Sequence, residues 1–160
     1  MGNSSRATVA FGVDLGNPEY GEWNFEEGPY HREDDEEFDF DDLIAEFAGW
    51  DEVQLKWANR SDDQIAHNMW SRQLDRRRSL LESVGIEVGA WGYEYSGQYL
   101  YITDTQQSDS WAPVPLEPIQ YVGIDAIRKL VEFIEFLDGK GLVLKEKFRT
   151  PRWLLMSSYG

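Results

Sequence analysis

The stretch IEVGAWGYEYSGQYLYITDT, residues 86–105, constrains the fold more than any other. Two alternating runs flank Ser96 and Gly97, the composition of a two-residue hairpin turn. With that turn, Tyr93 faces Leu100 and Trp91 faces Ile102 on one side, while Val88, Tyr99 and Tyr101 occupy the other. Aromatic rings on both faces need cover on both faces, so the hairpin belongs at the centre of a sheet and not at its edge.

The remaining chain supplies partners for it. Val9, Phe11, Val13 and Leu15 alternate with smaller or polar residues up to the turn GNPEYG, a first strand. EWNFEE places Trp23 and Phe25 on one side of a second strand, and EFDFD repeats the design with Phe38 and Phe40. Asp41 or Asp42 caps a short helix with Leu43, Ile44, Phe47 and Ala48 on one face and Gly49 as its stop. VQLKWA alternates as a strand; then Ser61 and Gln64 form a capping box that opens a long helix reaching Val84, with Gly85 after it. Ile65, Met69, Leu74, Leu81 and Val84 are among its apolar positions. After a loop containing Pro113, Pro115 and Pro118, a second long helix carries Ile124, Ile127, Leu130 or Val131, Ile134 and Leu137 and stops at Gly139 or Gly141. LVLKEKF and RWLLMSSYG read as closing strands. The expected fold class is α+β, a mainly antiparallel sheet with two long helices and one short helix packed on it.

Charge is divided unevenly. Residues 1–53 hold sixteen acids against Arg6 and Arg32, a net −14, whereas residues 54–160 hold fourteen acids against thirteen bases, a net −1. Such a field repels nucleic acid and anionic membrane and steers toward a basic protein surface. The absence of cysteine excludes disulfides, thiol redox chemistry and zinc–thiolate sites. No basic leader followed by an apolar core opens the chain, and no apolar run reaches the ~20 residues that span a bilayer. The expectation is one domain over residues 1–160, soluble in a host cytoplasm, with segment 19–53 as its interaction face.

The acids concentrate in HREDDEEFDFDDL, residues 31–43, where eight of thirteen positions are Asp or Glu. That run lacks the glycine and ligand order of an EF-hand loop. FGVDLGN resembles the first phosphate motif of actin-like ATPases, but the duplicated domain such folds require has no room here, and Asp14 reads as structural. No phosphate-binding glycine loop is present, and no nucleophile accompanies His31 or His67. His67 reads as a helix-surface residue, and Arg72, Arg76, Arg77 and Arg78 as partners of the acidic segment or of Asp75 and Glu82. Neither a cofactor nor a metal is expected.

The order of these features, from VAFGVDLG through an acidic Trp- and Tyr-bearing first third to SVGIEVGAWGYEYSGQYLYI, resembles that of small acidic uncharacterised proteins encoded by phages of actinobacteria. The resemblance implies a phage accessory role, and by analogy an inhibitor of a host nuclease of the anti-CRISPR or antirestriction type. The expected function is non-catalytic: a nucleic-acid-mimicking acidic face bound to a basic nucleic-acid-binding protein of the host. Charge would come from Glu33, Asp34, Asp35, Glu36, Glu37, Asp39, Asp41 and Asp42, with Phe38, Phe40 and Trp23 as anchors. A metal-assisted hydrolase built on the same acids, or a virion interaction module, are the alternatives.

Overall fold

The computed structural model describes residues 5–26, 39–51, 64–108 and 122–159. The chain divides into two compact units, one formed by residues 1–38 and 86–160, the other by residues 39–85. The expected acidic face, 19–53, is therefore shared between them.

The larger unit is a mixed six-stranded sheet with helical cover, which bears out the α+β class. Its axis is β1, Ser5–Asn17, whose alternation continues for thirteen residues. A 3-10 turn, Pro18–Tyr20, leads to the short β2, Glu22–Trp23. The hairpin β3, Ile86–Tyr93, and β4, Gly97–Ile102, is followed by β5, Gln107–Ser108, and the last strand by sequence is β6, Arg152–Tyr159. β1 pairs with β6 along residues 5–12 and with β4 along 12–16. β3 pairs with β4 and, at Gly92 and Tyr93, with the end of β6, so the ladder returns to the strand where it began. The β3–β6 pair is parallel, which makes the sheet mixed where a mainly antiparallel one was expected. A strand separated from the hairpin by a loop and helices can reach either side of it, and that choice leaves no periodic mark in sequence.

The hairpin is central, as the two-faced aromatic pattern requires, but its turn lies elsewhere. Ile86 pairs with Ile102, Val88 with Leu100, Gly89 with Tyr99 and Trp91 with Gly97, and the turn residues are Glu94 and Tyr95. The expected pairing of Tyr93 with Leu100 and Trp91 with Ile102 is thus shifted by five residues, and an odd shift exchanges faces. Val88 joins Leu100 and Ile102 on one side, while Trp91 joins Tyr99 and Tyr101 on the other. Packing explains the preference. Gly89 and Gly97 offer no Cβ where the Tyr99 and Trp91 rings lie against them, and a methyl at either would collide with those rings.

Each face of β4 then has its own cover. Leu100 is fully buried, Ile102 nearly so, and they lie on the side of α3, Ile124–Gly139, which buries Leu130, Phe133, Ile134 and Leu137. Burying each such side chain stabilises by about 1.5–3 kcal/mol relative to exposure. On the opposite face Ala10, Tyr99 and Tyr101 form a cluster with Trp91, Leu154 and Met156. LVLKEKF is not a strand: Leu144 makes a single bridge to Phe25, and Glu146–Arg149 is a helical turn, α4. No described helix is long and apolar enough to cross a membrane.

The smaller unit contains α1, Phe40–Phe47, and α2, Gln64–Val84. Gly49 and Gly85 follow them with φ of 92° and 69°, the left-handed stops read from sequence. The Ser61 cap, the VQLKWA strand and the proline loop at 113–118 lie outside the described residues. Met69, read as an apolar position of the helix, is 56 % exposed.

Candidate interaction site

Of the acidic segment, Glu33, Asp34, Asp35, Glu36, Glu37 and Phe38 lie outside the described residues, as does His31. The rest of it is a helix start. Asp39, in extended backbone at φ −111°, caps α1 by accepting a hydrogen bond from the Asp41 amide at 2.8 Å. This corrects the expected strand at EFDFD and the expected cap at Asp41 or Asp42. A strand would expose alternate residues, whereas Phe40 as first helical residue joins Ile44 on one helical face, and both are buried. Asp39, Asp41 and Asp42 remain exposed at the amino end of α1, where the helix dipole favours anions.

Asp42 Oδ1 accepts a hydrogen bond from Arg77 Nη2 at 2.6 Å, so one arginine of the RQLDRRR group does meet the acidic segment. Arg78 approaches Asp75 at 4.0 Å. No described carboxylate pairs with Arg72 or Arg76. Trp23 is 9 % exposed and packs edge-on against Phe25 at 5.5 Å. Trp23 and Phe40 are thus core residues, not exposed anchors as expected. His67 is exposed, as expected of a helix-surface residue. Asp14 accepts from the Gly16 amide at 2.9 Å beside the irregularity between Asp14 and Gly16, a structural role.

A second site was hidden by the displaced hairpin turn. Glu94 and Tyr95 have φ of 51° and 59°, the left-handed pair of a tight hairpin turn closed by the Ser96 amide donating to Tyr93 O at 3.2 Å. Such positions favour Asn and Gly; residues with larger side chains there cost about 1 kcal/mol each or more. The turn is clamped from below. Asn17 Nδ2 donates to Ser96 Oγ at 2.9 Å, Ser96 Oγ donates to Tyr93 O at 3.0 Å, and Asn17 Oδ1 accepts from the Glu19 amide at 3.2 Å. Asn17 and Ser96 are both buried. Above this clamp stand Tyr20, Tyr93 and Tyr95, 62 %, 56 % and 52 % exposed. Asn17 caps the Pro18–Tyr20 turn, so its bond to Ser96 ties that turn to the hairpin tip. The Tyr93 hydroxyl has its pKa raised first by its hydrogen bond and charge interaction with Glu94, then by burial and by Tyr20. The sequence did carry the signal: three tyrosines in and beside turns, where burial has no use for them.

Beside the tip is a cleft of about 330 Å³ lined by Asp14, Trp91, Gly92, Leu154, Met156 and Ser157, with Leu155 at its side. On the same face of the sheet, Tyr101 donates to Glu87 Oε2 at 2.7 Å, and Gln106 Nε2 donates to the Tyr99 hydroxyl at 2.7 Å. Burial raises the Tyr99 pKa, opposed in part by Gln106 and Arg6. Among the described residues no group of three His, Asp or Glu side chains could hold a metal ion.

Comparison of the chain with protein-family models, with curated proteins and with solved structures finds no match.

Proposed function

We propose that this chain is a non-catalytic binding protein whose acidic first third occupies a basic, nucleic-acid-binding surface of a host protein, inhibiting it in the manner of an anti-CRISPR or antirestriction protein. The observation that carries this reading is the partition of charge, net −14 in residues 1–53 against −1 in the rest. A uniformly acidic protein gains solubility from its charge; a locally acidic one gains direction. The helical start at Phe40 supports the reading further. Same-face acids in a strand recur every ~6.6 Å, far sparser than the one charge per ~1.7 Å of duplex DNA. Asp39, Asp41 and Asp42 are all exposed within the first turn of α1, a closer grouping of carboxylates than one face of a strand provides.

In this reading Glu33, Asp34, Asp35, Glu36, Glu37, Asp39 and Asp41 supply the charge, and Asp42 shares its own with Arg77. Phe40 and Trp23 hold the backbone that presents it, and Phe38 extends that anchoring. The experiment is capture of host proteins on the immobilised chain at low and at high salt, with partners identified. A variant carrying Gln and Asn at these eight acids is run in parallel. Capture of a nucleic-acid-binding protein that weakens with salt and is lost in the variant is the expected result. Capture unchanged in the variant overturns the reading.

A further inference from the structure

We propose that the tip of the β3–β4 hairpin, together with Tyr20, is a docking surface for an arginine-bearing segment of a protein partner. Glu19, Tyr20 and Glu22 belong to the same acidic first third, but none of residues 33–42 takes part, so the two readings can be tested apart.

Three observations support it. The first is exposure of the wrong kind for a solvated turn: Tyr20, Tyr93 and Tyr95 each leave more than half of a large ring in water. Tyrosine gives wide contact area at low entropic cost, and it is the residue on which protein-binding loops rely most. The second is the turn. Asn-Gly would satisfy the left-handed geometry at residues 94 and 95 with less strain, yet the chain places Glu94 and Tyr95 there, and it clamps them through Asn17 and Ser96. A clamped turn fixes the backbone from which these side chains project before a partner arrives, which lowers the cost of binding.

The third observation is charge. Residues 17–23 and 92–97 contain Glu19, Glu22 and Glu94 and no Lys, Arg or His. Aromatic faces beside carboxylates recognise cations that are weakly hydrated and flat. The guanidinium group of arginine stacks on a phenol ring while donating to a carboxylate, which an ammonium group does less well.

The test uses the full-length protein and a synthetic peptide of alternating Arg and Gly, with the citrulline–Gly peptide as neutral control. Binding is followed by amide chemical shifts. Saturable shifts at residues 20 and 93–96, absent with the citrulline peptide, are expected. The double variant Glu94→Asn with Tyr95→Gly should bind at least tenfold more weakly while its thermal midpoint rises, since it takes the residues the turn prefers. Tyr20→Ala, a surface change, should weaken binding without altering the midpoint. The variant neutralised at its eight acids, from residue 33 to 42, should keep the shifts at the tip. If the Asn-Gly variant binds the peptide as tightly as the parent, or the shifts fall only outside the tip, the inference is overturned, whatever the lysate experiment gives.

Discussion

Arg149 and Asp138 meet in a two-pronged pair, Nη1 donating to Oδ1 at 2.8 Å and Nη2 to Oδ2 at 2.6 Å, which ties the turn α4 to the end of α3. Both side chains are about two-thirds or more shielded, at 26 % and 31 % exposed. Parallel charged hydrogen bonds of this kind are the strong ones, and the Arg149 pKa is raised chiefly by its bond to Asp138. Arg149→Met should therefore lower the free energy of unfolding by about 1–2 kcal/mol, measured in urea. Arg149→Lys should recover little of it, because an ammonium cannot reproduce the planar fork.

The Arg77–Asp42 pair is a different case, since the Asp42 side chain is 57 % exposed. A double-mutant cycle between Arg77→Ala and Asp42→Ala should give a coupling of about 0.5 kcal/mol that vanishes at high salt. Asp39→Ala, which removes the cap of α1, should cost about 1 kcal/mol and do so at any salt concentration.

Two glycines should respond in opposite directions to the same methyl group. At Gly89 the added Cβ would strike the Tyr99 ring, so Gly89→Ala should destabilise by about 1–3 kcal/mol. At Gly139, the last residue of α3, nothing lies within 4 Å. Gly139→Ala should stabilise by about 0.5 kcal/mol, through the lost freedom of the unfolded chain. Thermal unfolding of the two variants beside the parent checks both.

Burial of Tyr99, 2 % exposed, raises its pKa above the ordinary tyrosine value of 10.0. A raised folded-state pKa means that the native chain holds this proton when the unfolded chain has released it. Its stabilising effect is complete below about pH 10 and is lost as the pH climbs from there through the folded-state value. Tyr99→Phe should flatten the alkaline loss of stability, seen as a smaller fall in the urea midpoint above pH 10. Below that pH the same variant should be weaker than the parent by about 1 kcal/mol, having lost the hydrogen bond from Gln106.

Much of the larger unit was legible because burial imposes a period. β1 and α3 show their repeat plainly, and in the smaller unit Gly49 and Gly85 mark helix ends whatever surrounds them. Aromatics on both faces of residues 86–102 located the central hairpin before any partner strand was known. At EFDFD the ambiguity was local. Where Phe38, Asp39 and Phe40 alternate over a few residues, a strand and a helix start look alike, and the cap formed by Asp39 on the Asp41 amide distinguishes them.

The sequence by itself determined the classes of chemistry: no thiol, no phosphate loop, a localised negative charge, and a two-faced aromatic hairpin. Those properties follow from residue types and short spacings. Only the tertiary structure decided the hairpin register, the return of β6 to β3, and with them which side chains stand out at the tip. Ser96 and Gly97 were the better turn residues by local propensity. Rings of Trp91 and Tyr99 seated on Gly97 and Gly89 outweighed that preference, because packing of whole side chains exceeds the strain of two left-handed residues.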